Sequence, residues 1–96
     1  MINQKKAIQI AEEYLKQKST EYDLVLLYEH TLGFESGWVF FYQTKEYAET
    51  RDITKMIAEN APIIIDKNDG SLHITGTDSP VEKYIRDYVK SKNHVD

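Results

Sequence analysis

The sequence predicts an α+β domain: a four-stranded antiparallel sheet with the amino- and carboxy-terminal helices on one face and a short helix between the second and third strands. Three observations lead there. Gly37-Trp38-Val39-Phe40-Phe41-Tyr42 holds four aromatics and no charge, and reads as the central strand. Apolar residues recur at helical spacing near both ends of the chain. Asp69-Gly70 between two apolar runs marks a tight hairpin.

Asn3 is placed to cap a first helix starting near Gln4. On a helical wheel Ala7, Ile8, Ile10, Ala11, Tyr14 and Leu15 share one face, and Gln9, Glu12, Glu13 and Lys16 lie opposite. Such a helix needs a sheet to lie on. Its pattern fades at Gln17-Lys18-Ser19-Thr20, a polar connection. Residues 22–31 are rich in Leu, Val and Tyr, and residues 32–37 carry two glycines at turn spacing, so this run should pair with the aromatic strand as an antiparallel hairpin. Alternation sends Trp38, Phe40 and Tyr42 to one face and Val39, Phe41 and Gln43 to the other. Neither face is polar near its middle, so the second face must be covered by the next segment, a second copy or a partner.

Tyr47, Ile53, Met56 and Ile57 point to a short helix over residues 52–59, capped by Asp52 or Thr50, after a polar loop at residues 45–51. Ala61-Pro62-Ile63-Ile64-Ile65 is a strand with its proline near the start, where a missing donor is tolerated. Leu72, His73, Ile74 and Thr75 form the last strand. Ser79, Pro80 and Glu82 then make a helix start with a capping box, and Val81, Tyr84, Ile85, Tyr88 and Val89 an apolar stripe that fades into Lys90-Ser91-Lys92-Asn93. Nothing in the pattern divides residues 1–96 into two domains.

Ninety-six residues bury only roughly 60 to 65% of the unfolded surface, which leaves little room for an internal catalytic cavity. The charge of -4 is spread evenly, with five basic and seven acidic residues up to Ala48 and seven and nine after it. Nucleic acid and anionic membrane are therefore not expected as partners. The absence of cysteine fits a reducing cytoplasm, and the polar amino terminus is unlike a signal peptide.

Candidate chemistry reduces to structure. Asp66, Asn68, Asp69 and Gly70 resemble the start of a calcium loop, but glycine falls one position early and Thr77 stands where a glutamate is needed. The hairpin reading is preferred. His30, His73 and His94 lack metal-ligand spacing, and Ser36 sits wrongly for a nucleophile elbow. The chain is read as a non-enzyme with no cofactor and no metal. Its best interface candidate is a tyrosine-bearing, charge-rimmed stretch, Tyr42, Glu46, Tyr47, Glu49, Arg51 and Asp52, since aromatics rimmed by charge characterise protein interfaces.

From about Lys5 to Tyr88 the chain resembles the immunity protein 35 family, also called the YrhB-type domain. The resemblance rests on the alanine-bearing first helix, on Gly37-Trp38-Val39-Phe40-Phe41-Tyr42, on Asn60-Ala61-Pro62-Ile63-Ile64-Ile65-Asp66 with Asp69-Gly70, and on Gly76-Thr77 before Pro80 and Glu82-Lys83-Tyr84-Ile85. Glu59 departs from the family's pattern, which has a small residue before Asn-Ala-Pro, so the turn into the third strand is expected to differ. The resemblance implies a bacterial immunity protein of a polymorphic toxin system, which binds a cognate toxin protein in the cytoplasm and blocks it, and it carries over no catalytic residues. The alternative is a small chaperone-like holdase that keeps unfolded clients on exposed apolar surface. A homodimer is compatible with either.

Overall fold

The computed structural model describes residues 1–19, 22–57 and 60–92; Glu59 and His94, singled out in the sequence, lie outside them. Helix α1 spans Gln4–Lys18 and starts as expected, with the Asn3 side chain accepting from the Lys6 N–H at 2.9 Å. Lys16 and Lys18 in its last turn oppose the negative end of the helix dipole. Strands β1 (Leu24–Leu26) and β2 (Leu32–Phe34) are separated by a 3-10 turn, Tyr28–His30. Strands β3 (Gly37–Phe40) and β4 (Tyr42–Thr44) are separated by Phe41 alone. Helix α2 (Lys45–Thr50) and a second 3-10 turn (Ile53–Lys55) follow. Strands β5 (Ile63–Asp66) and β6 (Leu72–Ile74) and helix α3 (Val81–Lys92) complete the order.

The first hairpin is longer and more broken than the sequence implied. Residues 32–34, expected in a turn, pair with β3, and the reversal is made by Glu35 and Ser36 alone. The expected strand over residues 22–31 survives only as β1, which pairs with β4. The result is a four-stranded antiparallel sheet in the order β2-β3-β5-β6 beside a two-stranded ribbon β1-β4. Gly37 permits the close pairing at the sheet's centre. Its φ is 155°, and a Cβ there would collide with the Ile65 carbonyl.

The two terminal helices were expected on one face; they lie on opposite faces. Ala7, Ala11 and Leu15 of α1 pack with Leu26, Phe40, Tyr42, Ile63 and Ile65, the set that alternation sends to one side. Helix α3 meets the other side. Tyr88 stands edge-on to Phe34 at 6.2 Å between ring centroids and against His73 at 4.9 Å. Val39 and Ile64, adjacent in the β3–β5 register, are buried on that second side. A sheet apolar on both faces needs two covers, each buried Val or Ile contributing about 1.5–3 kcal/mol, and helices on one side would leave half of that unrealised.

The Asp69-Gly70 hairpin forms, but as a four-residue loop rather than a two-residue turn. The Asp66 N–H donates to the Ser71 carbonyl at 2.9 Å and the Gly70 N–H to the Asp66 carbonyl at 2.8 Å. Gly70 alone in the loop has positive φ, 73°, whereas the tight turn needs two such residues. Asp66 and Asp69 both close the loop locally, their Oδ1 atoms accepting from the Asn68 and Ser71 N–H groups. The carboxylate that resembled a calcium ligand is thus a backbone partner.

Asp66 also ties α3 down. Its carboxylate is buried, and Oδ2 accepts from the Tyr88 hydroxyl at 2.5 Å and from Lys92 Nζ at 2.6 Å. Burial pushes this carboxyl up, but the Lys92 ammonium, the Tyr88 hydroxyl and the Asn68 amide together outweigh it and hold the pKa at about 2. A folded value below the unfolded one of about 3.9 stabilises the fold above about pH 4, and that stabilisation disappears as pH falls towards 2. Asp66→Asn is expected to lower stability at pH 6 by about 2 kcal/mol and to flatten the stability profile between pH 4 and 2. Urea denaturation across that window checks this, and a variant as acid-sensitive as the parent would assign the effect to another group.

Candidate functional site

The expected helix over residues 52–59 and the polar loop before it exchange places: the loop residues form α2, and the described residues of the expected helix, 52–57, hold a single 3-10 turn. Propensity gave way to local capping. The Thr44 hydroxyl accepts from the Tyr47 N–H at 3.1 Å, starting α2 where no apolar periodicity marks it. Asp52 does cap, but it caps the 3-10 turn, its Oδ1 accepting from the Thr54 N–H at 3.0 Å and the Thr54 hydroxyl at 2.7 Å.

Two buried polar residues at the end of β4 hold this segment. The Gln43 amide donates to the Ile57 carbonyl at 3.1 Å and accepts from the Ile57 N–H at 3.0 Å. The Thr44 hydroxyl, besides capping α2, donates to the Lys55 carbonyl at 2.7 Å. Asn60 adds a bond from its side-chain amide to the Tyr42 carbonyl at 3.0 Å. These bonds tie Lys55, Ile57 and Asn60 to β4 in place of a strand ladder.

Of the six residues expected to form an interface, five share this surface and one does not. Tyr42 is 2% exposed and belongs to the core beneath α1, where burial first and the nearby Tyr14 second push its pKa up. Alternation places it with Trp38 and Phe40, so the patch loses that tyrosine. Tyr47 is half-buried, and Glu46, Glu49, Arg51 and Asp52 are exposed. The surface is also less acidic in effect than its composition. Glu46 lies 3.5 Å from Lys55 Nζ and Glu49 3.9 Å from Lys45 Nζ.

Arg51 is the focus of the patch. It ends α2 in the left-handed conformation with φ of 60°, and among the described residues it alone has positive φ without being glycine. Such a backbone costs about 1 kcal/mol in a residue with a Cβ. Its guanidinium stands 5.6 Å from the Tyr47 ring centroid and donates to Glu29 Oε1 at 2.9 Å. Glu29's own backbone amide and the guanidinium hold its carboxyl below the usual carboxylate range, and the Glu29 and Tyr47 contacts raise Arg51. Glu29 escaped the sequence reading because it stands twenty-two residues away, inside a run read as a strand.

Beside this patch opens a groove of about 340 Å³ between the two sheets, lined by Leu27, Leu32, Phe41 and Met56 together with Tyr47 and Asn60. The break at Phe41 creates it, because β1-β4 diverges from the main sheet there. Leu32 and Met56 are exposed at its rim. Among the described residues no three of His, Asp and Glu converge to hold a metal ion. Among the described residues no helix is long and apolar enough to cross a membrane.

A small α+β scaffold carrying a shallow, mixed-charge aromatic surface is the class of protein that these features define. Residues 5–87 match the family described as immunity protein 35, and the chain belongs to that family. It is also similar to the uncharacterized protein YrhB of Escherichia coli (strain K12), 46% identical over 55 residues that make up 57% of this chain and 58% of YrhB. The match therefore spans less than two thirds of that relative. No solved structure matches the chain.

Gln43→Met is expected to preserve volume while leaving the Ile57 N–H and carbonyl unpaired, lowering stability by about 2 kcal/mol. Hydrogen exchange should show the loss concentrated at Ile57 and its neighbours. Uniform loss across the sheet would mean that Gln43 does not act through that backbone.

Proposed function

We propose that this protein is an immunity protein that binds a cognate toxin domain in the cytoplasm and neutralises it by covering the toxin's active site, without catalysis of its own. Membership of the immunity protein 35 family over residues 5–87 carries this reading. The surface proposed to bind is that of Glu46, Tyr47, Glu49, Arg51 and Asp52, extended by Glu29 and by the adjoining groove at Leu32 and Met56. Three features support it. Tyr47 and Arg51 are residue types that anchor interfaces, the groove gives an apolar floor, and the carboxylates make a rim. The strained backbone of Arg51 is a further pointer, because such outliers gather at functional sites.

The first test is affinity capture of the tagged protein from its own host, followed by a toxicity assay with whatever co-purifies. One stoichiometric partner whose toxicity the protein abolishes is the expected result. A broad, weakly held set of unfolded proteins with no toxic member would replace this reading with the holdase.

With that partner in hand, Arg51→Gly separates binding from stability. Glycine relieves the left-handed backbone, so the melting temperature should hold or rise, while loss of the guanidinium should weaken binding at least tenfold, about 1.4 kcal/mol. Tyr47→Ala combined with Glu46→Ala and Glu49→Ala should weaken it further with little change in melting. Unchanged affinity in folded variants would move the binding surface elsewhere on the molecule.

A further inference from the structure

Helix α3 carries an apolar stripe, yet none of its residues is buried. Of its two tyrosines, Tyr88 turns inward onto Phe34, His73 and Asp66, while the Tyr84 hydroxyl donates to the exposed Asp78 carboxylate. Ile85 and Val89, one turn apart, instead line an open groove of about 470 Å³ together with Glu35, Glu82, Arg86 and Lys90. Among the described residues none of those four charges has an ion-pair partner within 4.0 Å. Elsewhere on the same helix Lys83 pairs with Asp87 and Lys92 with Asp66.

We propose that this face docks a second copy of the chain, with α3 antiparallel to its twin across a two-fold axis near Arg86. The charges are arranged for that occupant. Glu82 precedes Lys90 by eight residues, about 12 Å along the helix, with Arg86 midway. Reversing a second α3 against the first puts Glu82 opposite Lys90 of the other copy, and symmetry makes the pair twice. Ile85 then sits between Ile85 and Val89 of the twin, one turn apart as a packed helix pair requires. The two Arg86 side chains approach at the axis, and Glu35, which lines the same groove, supplies their counter-charge. Two acidic and two basic residues leave the face neutral on a chain of net charge -4, so two copies meet there without the repulsion of the whole molecule. One helix face is a small contact, and the association is accordingly weak.

Sedimentation equilibrium of the full chain measures it. The parent is expected to associate to about twice its 11.2 kDa mass as concentration rises. Glu82→Lys alone and Lys90→Glu alone should each weaken dimerisation about tenfold, because each turns two attractive pairs into two repulsive ones. The double exchange, E82K with K90E, should restore it. Both substitutions are at exposed positions, and far-UV circular dichroism confirms that each of the three variants is folded. A parent that stays monomeric to ~1 mM overturns the proposal. A folded double variant no tighter than the single ones overturns the antiparallel pairing on which it rests.

Discussion

A sheet that is apolar on both sides is the constraint from which the architecture follows. Phe40, Ile63 and Ile65 face α1, while Val39 and Ile64 face the other way and are buried as completely. Neither half could meet water without forfeiting several kcal/mol. The chain therefore needs a cover at each end, and it places one helix before the sheet and one after it. The two covers are held differently. Helix α1 buries alanines and a leucine in close contact with the strands, whereas α3 leans on tyrosine rings and on one buried carboxylate. Asp66 thus has two tasks, closing the β5–β6 loop and anchoring α3, and its low pKa is the sign of how many donors it collects.

The exposed surface around Arg51 depends on a second constraint, the break at Phe41. If β3 had run on into β4 without interruption, the ribbon β1-β4 would have continued the sheet and no groove would have opened beside Leu32 and Met56. Among the described residues the end of β4 pairs with β1 alone, which leaves the Gln43 and Thr44 side chains available to the segment that follows. They satisfy the backbone of residues 55–57 and start α2 at the same time. The exposed patch around Arg51 is thereby held by buried amides and hydroxyls, and this rigidity lets an exposed segment keep a strained residue. Membership of the immunity protein 35 family gives that surface its proposed use.

Much of this was legible from residue order. The first helix, its Asn3 cap, the aromatic strand and the alternation of Trp38, Phe40 and Tyr42 follow from periodicities of 3.6 and 2, which depend only on neighbours along the chain. That Glu46, Tyr47, Glu49, Arg51 and Asp52 lie together at the surface was legible too, because this stretch is polar on most sides. Tyr42 misled: a tyrosine near a charged stretch reads as surface, but its alternation with Phe40 and its register opposite Leu26 put it under α1. Helix α2 was missed because a six-residue helix has too few turns for an apolar stripe to show. Its true signal, Thr44 at the cap, is a common residue in a common place.

The sequence by itself determined which segments are apolar enough to be covered, where helices begin when a cap announces them, and that β5 and β6 form a hairpin. Those are local properties, set by side-chain chemistry and near-neighbour spacing. Only the tertiary structure decided which cover takes which face, that Glu29 meets Arg51 and that Asp66 receives Lys92. Such pairings join residues more than twenty positions apart, and their formation depends on the register and divergence of strands already packed, which no periodicity along the chain encodes.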